Sequence, residues 1–192
     1  MSVFPALRKK IMFVIVVGIF IAISILLATY SSEEILSVIG VENAYLLMFI
    51  LAALGGMSTF TGIPYHFILM SFAASGINPF FLGLITALGV MLGDSMTYFL
   101  GHQSSDILPK RFKKPLAKIS TFLVRHPKFM YPFLITYGAV SPFSNDFIVI
   151  SMGMIRYSYW KIMIPLTLGN IFFNIALAYL GYFAFNEVIG WF

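Results

Sequence analysis

The chain has 192 residues, of which 60% are apolar and 10% are charged, and its formal charge is +5. A soluble domain is nearer about half apolar and about a quarter charged, so this composition predicts an integral membrane protein. The apolar runs are continuous rather than alternating, which excludes an outer-membrane barrel. The absence of cysteine excludes disulfides, thiolate catalysis and cysteine metal sites.

Residues 1–43 are predicted to form a membrane anchor helix and an external loop. Basic residues at positions 8–10 precede an uncharged run from Ile11 to Tyr30, which is long enough to span one hydrocarbon core of about 30 Å. A cleaved signal peptide is the alternative, but its apolar core would be shorter and a small-residue cleavage site should follow it. The loop 31–43 has three acidic residues and no basic one.

Residues 44–101 are the first unit of a membrane domain expected to occupy residues 44–192. Its apolar stretch 44–78 is broken at Gly55-Gly56, Gly62-Ile63-Pro64 and Gly76. The following stretch, 79–101, is interrupted only by Asp94. Because a break in backbone hydrogen bonding is not tolerated where it faces lipid, the broken stretch should be covered by protein or should line a cavity.

The loop 102–128 is strongly basic, with seven Lys or Arg residues against one acid. Within it Leu116, Ile119, Ser120 and Leu123 recur at helical spacing. This pattern predicts a short amphipathic helix lying on an anionic lipid surface; a solvated basic loop is the alternative.

The second unit, residues 129–192, has the same order of features. Its first apolar stretch is broken at Ser141-Pro142 and Asn145-Asp146. Basic residues follow at Arg156 and Lys161, next to Tyr159 and Trp160, where an aromatic belt would lie. The last apolar run extends from Ile162 to Phe185.

Charge placement predicts how these segments are oriented. Because Lys and Arg concentrate on the cytoplasmic side, the N-terminus and the loop 102–128 are expected inside. The expected location is the plasma membrane, as a multi-pass protein. The stretch 44–78 then starts and ends outside, and the stretch 129–156 starts and ends inside. The predicted fold is therefore all-α and integral to the membrane, with spanning helices and two oppositely oriented re-entrant hairpins in an inverted repeat.

A short internal match agrees with this repeat. In order, Pro64, Gly76 and Gly93-Asp94 correspond to Pro142, Gly153 and Gly169-Asn170, and each spacing differs by one residue. Chance is the alternative explanation, because Gly and Pro are common in membrane helices.

The run Gly93-Asp94-Ser95-Met96-Thr97-Tyr98-Phe99-Leu100-Gly101 resembles the G-D-x-x-x-Y-x-x-G run of the DedA family, also called the VTT or SNARE-associated Golgi protein family. Gly62-Ile63-Pro64 falls where that family has its first loop tip. Val140–Asp146 with Gly153 resembles the second loop, and Tyr157 and Trp160 resemble the start of the last helix. The resemblance covers residues 44–186 and implies lipid handling, namely the flipping or scrambling of phospholipids or polyprenyl-phosphate carriers.

The chain departs from that family at both loops. The family usually has acids in the first loop, whereas here none lies between Glu42 and Asp94, and His66 stands near where one acid would fall. The family usually has arginines around the second proline, whereas here Asp146 adds a negative charge.

Several side chains are candidates for transport chemistry. Asp94 could exchange a proton during transport, or it could accept hydrogen bonds from a loop tip and stabilise the fold. Asn145 and Asp146 could form a polar relay, although helix capping is expected first. His66 could change charge near neutral pH or be hydrogen-bonded within the bundle. Tyr98 could donate to a phosphate or simply pack.

The two loop tips predict an anion site. Half-helices that start after Pro64 and after Pro142 would direct free backbone N–H groups and positive dipole ends towards the midplane, where a lipid phosphate could bind. Gly62 and Ser141 belong to the same tips, and nearby Ser and Thr hydroxyls either add donors or restore broken backbone bonds.

These features favour a transporter or scramblase of phospholipid or polyprenyl-phosphate lipid, with the headgroup held between the two tips. An ion- or proton-coupled transporter of small solutes on the same scaffold is the alternative. No G-x-S-x-G, H-E-x-x-H or clustered acidic metal motif is present, so we expect no enzyme, cofactor or metal site. The expected partners are membrane lipids, with anionic lipid at the basic loop and no nucleic acid; a homo-oligomer is compatible with the sequence.

Overall fold

The computed structural model describes residues 34, 37, 38, 40–56, 65–103, 120–141 and 144–189. The predicted anchor of residues 11–30, the loop-tip residues Gly62, Pro64 and Pro142, and most of the basic loop lie outside this part of the chain. Within it the fold is helical and contains no strand. The helices are α1 Val41–Gly56, α2 Tyr65–Ala74, α3 Pro79–Gln103, α4 Pro127–Val140, α5 Asp146–Met154 and α6 Tyr159–Ile189.

Two of these helices are long and apolar enough to cross a membrane. They are α3, with 25 residues, and the first 26 residues of α6, Tyr159–Ala184. Both present large exposed apolar side chains, among them Leu92 and Phe99 on α3 and Phe172 and Leu180 on α6. An exposed apolar surface of this extent supports association with a membrane.

The second predicted break is present, since Ser141 and Ser144 are not helical, whereas residues 57–64 of the first break lie outside the described chain. The first broken stretch contains α1 and α2, which are separate helices, and the second contains α4 and α5. The last helix begins at Tyr159, three residues before the start expected from the apolar run. Its first turn holds Trp160 and Lys161, so the polar end of the run is helical as well.

The amphipathic segment of the basic loop is helical at residues 120–125, and its leucine packs into the bundle. Leu123 is 1% exposed and belongs to the same buried cluster as Met130 and Met152. At Ser120 and Leu123 the predicted apolar face is therefore buried by the bundle, while Leu116 and Ile119 lie outside the described residues.

The turns that follow α2 and α5 have the same hydrogen bonds. After α2, the Ile77 N–H donates to the Phe72 carbonyl and Gly76 has φ +89°. After α5, the Tyr157 N–H donates to the Met152 carbonyl and Arg156 has φ +55°. This is the Schellman arrangement, in which glycine usually takes the left-handed position. Gly76 therefore corresponds to Arg156, and the sequence match of Gly76 with Gly153 is wrong.

The short helices pack on the long helix of the other unit. Gly101 of α3 lies against the backbone of Ile150 in α5, and Gly181 of α6 lies against the backbone of Met70 in α2. Within each unit, α1 packs on α3 and α4 packs on α6, while α3 and α6 contact each other. Each short helix, α2 and α5, is thus packed against the long helix of the other unit.

Candidate functional site between the two helix breaks

Asp94 is the centre of a buried polar network that joins three parts of the chain. The side chain is 1% exposed. Its Oδ2 accepts hydrogen bonds from the Nδ2 atoms of Asn145 at 3.0 Å and Asn170 at 3.4 Å. Asn145 Nδ2 also donates to Asn170 Oδ1 at 3.1 Å, which its two amide hydrogens allow. Of the two roles left open by the sequence for Asp94, acceptance of a hydrogen bond from a loop is observed, here from Asn145, and proton exchange stays a prediction.

Two buried acceptors in this network have no hydrogen-bond partner among the described residues. They are Oδ1 of Asp94 and Oδ1 of Asn174, whose amide Nδ2 donates to the Asn170 carbonyl. Buried polar atoms are nearly always paired. The network therefore has the capacity to accept a hydrogen bond from a water, a proton donor or a ligand.

Asp146 is the second buried carboxylate, at 2% exposed. Thr97 of α3 donates to its Oδ1 at 2.8 Å, and the Ser144 hydroxyl donates to its Oδ2 at 2.9 Å. Both oxygens are thus hydrogen-bonded by protein. Thr97 lies three residues after Asp94, so both side chains are on the same face of α3. This face carries the Asp94 carboxylate and also contacts the Asp146 carboxylate.

Asn145 does not cap α5 as the sequence predicted. Its backbone is helical (φ −57°, ψ −26°) and its side chain makes no capping hydrogen bond. Instead, Ser144 Oγ accepts from the Asp146 N–H at 3.2 Å. With Ser144 as the cap, the amide of Asn145 is left to bind Asp94.

The first turn of α5 does not offer the free backbone donors that the sequence predicted for an anion site. The N–H groups of Phe147, Ile148 and Val149 donate to the carbonyls of Ser144 or Asn145. The Asp146 N–H donates to Ser144 Oγ, as described above. The first turn therefore has no free donors, and the Asp146 carboxylate already lies at the positive end of the helix dipole. At α2 the preceding residues lie outside the described chain, so the anion site there stays a prediction.

A cavity of about 330 Å³ lies beside this network, between the two helix breaks. The first unit contributes Tyr65 and His66, the first residues of α2, and the second contributes Ser141, Asn145 and Asn170. The His66 ring contacts the Tyr65 ring at a centroid distance of 3.9 Å and the edge of Phe173 at 5.5 Å. Of the predicted site residues, His66, Ser141 and Asn145 therefore line one cavity, and Asp94 lies behind it.

Tyr98 and Gly93 lie away from the cavity lining. Tyr98 donates its hydroxyl to the Tyr157 carbonyl at 2.5 Å and so stabilises the turn that follows α5. Gly93 lies where α3 crosses α1, and a side chain there would collide with the backbone of Ala53 and Gly56. In the Gly-Asp-Tyr-Gly run, the two glycines make close helix contacts, Tyr98 makes a hydrogen bond and Asp94 is a buried acid.

Two members of the network were not singled out from the sequence, Thr97 and Asn174. A signal for Asn174 was present, because Asn170 and Asn174 are one helical turn apart in an otherwise apolar run and so share a face. In the part of the chain that the structure describes, no group of three or more His, Cys, Asp or Glu side chains could hold a metal ion.

No protein-family model, curated protein or solved structure matches the chain. The resemblance to the DedA family therefore stays a prediction, and the function is proposed from the site.

Proposed function

We propose that the chain is a DedA-like transporter or scramblase that moves a phospholipid or polyprenyl-phosphate lipid across the membrane, with the headgroup held in the cavity between the helix breaks. One observation carries the proposal: a cavity with several polar side chains in its lining, contributed by both units, lies beside helices that are long and apolar enough to cross a membrane. A headgroup needs such a polar site, whereas its acyl chains can remain beside the exposed apolar faces of α3 and α6.

The proposed topology is an inverted repeat in which α1–α2 and α4–α5 are re-entrant hairpins and α3 and α6 span the membrane. The equivalent turns at Gly76 and Arg156 support it. So does the reciprocal packing of Gly101 on Ile150 and of Gly181 on Met70, since each contact partner is 80 residues from its counterpart. With 10 and 9 residues, α2 and α5 are each about 15 Å long, half of a hydrocarbon core.

The two sides of the cavity differ in the chemistry that they offer a headgroup. On the α2 side, the helix begins at Tyr65, with its hydroxyl and the ring of His66 beside it. A helix N-terminus and neutral donors suit a phosphate. On the α5 side, the amides of Asn145 and Asn170 are backed by Asp94. The phosphate is therefore assigned to the α2 side.

Coupling of a small solute to an ion is the second candidate function. It is favoured by the two buried carboxylates, Asp94 and Asp146, and by the cavity lining, which within the described chain has no Lys or Arg. Buried acids in a membrane domain are typical of ion and proton pathways.

Reconstituted vesicles distinguish these functions. Purified protein with fluorescent phospholipid in both leaflets is tested for the fraction of label that becomes accessible to an impermeant quencher. We expect translocation by the unmodified chain, a slower rate with Asp94→Asn, and an unchanged rate with Ser158→Ala, an exposed residue outside the cavity. Ion-driven solute uptake without lipid movement would support the second candidate, and a new lipid product would indicate an enzyme. Absence of lipid translocation would contradict the proposal.

A further inference from the structure

A second concave site lies on the outer face of the bundle, where α4 and α6 form a groove of about 280 Å³. We call it the α4–α6 groove. Its lining includes Tyr131, Ile135, Trp160, Lys161, Ile164 and Leu168. None of these residues lines the central cavity, so the groove is a separate feature.

The α4–α6 groove is ordered from a basic end to an apolar end. The two helices run side by side in the same direction, because Tyr131 shares the groove with the first turn of α6 and Gly138, farther along α4, meets Leu166 and Asn170. Lys161 and the Trp160 ring therefore lie at one end, and Ile135 and Leu168 lie towards the other. A phospholipid has its parts in the same order, with a charged headgroup at one end, an interfacial region next to it and hydrocarbon chains at the other end.

Basic residues are concentrated near the Lys161 end of the groove. Lys161 is exposed, as are Lys128, one turn before Tyr131, and Arg156, in the turn before α6. Neither the stretch 120–141 nor the stretch 155–186 contains an Asp or Glu. A zwitterionic headgroup would leave this charge unbalanced, whereas an anionic phosphate would neutralise it.

Pro165 adds a polar feature at the same place. It lies within α6 and lines the groove. Because proline has no backbone N–H, the Lys161 carbonyl lacks its usual helical donor. The groove thus combines a cation with an otherwise largely apolar lining.

We propose that the α4–α6 groove binds one anionic phospholipid, with its phosphate on Lys161 and an acyl chain along Ile135, Ile164 and Leu168. The site does not depend on the proposed translocation, since it lies outside the cavity. It would hold a resident lipid at the bundle surface.

Trp160 provides a direct measurement because it lies in the groove. The only other tryptophan is Trp191, so Trp191→Phe leaves Trp160 as the single tryptophan, which is excited selectively at wavelengths where tyrosine does not absorb. This protein is reconstituted in phosphatidylcholine vesicles that contain brominated phosphatidylglycerol or, in parallel, brominated phosphatidylcholine. We expect phosphatidylglycerol to quench Trp160 at a lower mole fraction than phosphatidylcholine, by about fivefold, the usual effect of one basic side chain near an anionic lipid.

Substitution of the lysine tests the assigned contact. Lys161→Gln should remove the preference for phosphatidylglycerol, whereas Lys161→Arg should keep it. Arg125→Gln, which changes an exposed basic residue outside the groove, should leave it unchanged. Should Lys161→Gln fail to fold, high salt should weaken the preference in the unsubstituted lysine protein by screening.

Three results would overturn the proposal: equal quenching by the two lipids, a preference that survives both Lys161→Gln and high salt, or no quenching by either lipid because another protein copy covers Trp160. Each readout is a binding measurement. Failure here would therefore leave the translocation result unaffected, and the reverse also holds.

Discussion

The Oδ2 atom of Asp94 accepts a hydrogen bond from the side-chain amide of Asn145, which lies 51 residues later in the chain, at a distance of 3.0 Å. This contact joins the middle of α3 to the break that precedes α5. Asn170 of α6 completes it from the other long helix. The buried acid thereby holds the second helix break against both long helices, beside the cavity.

Substitutions at Asp94 should separate its structural role from its charge. Asp94→Ala removes the acceptor for Asn145 and Asn170, so we expect a loss of about 1–3 kcal/mol and a lower thermal midpoint. Asp94→Asn keeps one acceptor oxygen and removes a buried charge, so its midpoint should equal or exceed that of the unmodified protein. The midpoints are measured in detergent by fluorescence-detected size exclusion after heating. Equal destabilisation by both substitutions would contradict this account.

Ser144 caps α5, whereas Asn145 donates to Asp94. Substitutions at these two residues should therefore couple differently to a substitution at Asp94. Ser144→Ala removes the cap of α5 and should cost about 1 kcal/mol. Asn145→Ala should instead remove the bond to Asp94. In double-mutant cycles with Asp94→Ala, the effect of Asn145→Ala should be largely lost, while that of Ser144→Ala should largely persist, since only Asn145 contacts Asp94 directly. Strong coupling of Ser144 alone would show that the capping assignment is wrong.

Much of the helix pattern could be predicted from the sequence, because apolar length and Gly or Pro position determine where a membrane helix can run and break. That Asp94 faces the interior of the bundle could be predicted, because exposing a carboxylate to lipid is costly. The choice of Ser144 over Asn145 as the cap could not be predicted, since it depends on how closely α3 approaches the loop. The left-handed turn at Arg156 could not be predicted either, because only the first of the two turns has a glycine, Gly76, at the left-handed position.

The absence of cysteine allows a direct test of the proposed re-entrant hairpins. Single cysteines are introduced as Asn43→Cys before α1, Ser75→Cys after α2 and Ser158→Cys after α5. We expect an impermeant thiol reagent to label positions 43 and 75 from one side of the membrane and position 158 from the other. If positions 43 and 75 were labelled from opposite sides, the stretch between them would cross the membrane and the inverted repeat would be excluded.

The most direct test of the central claim is to block the cavity in a reconstituted protein. Ser141→Cys places a thiol in the lining, and Ser158→Cys places one in the exposed turn after α5. Each protein is treated with a bulky membrane-permeant thiol reagent before translocation of labelled phospholipid is measured. Because the added group would occupy much of a cavity of about 330 Å³, we predict that modification at position 141 slows translocation by about tenfold or more, while modification at position 158 leaves the rate unchanged. An unchanged rate after complete modification at position 141 would contradict a lipid path through this cavity.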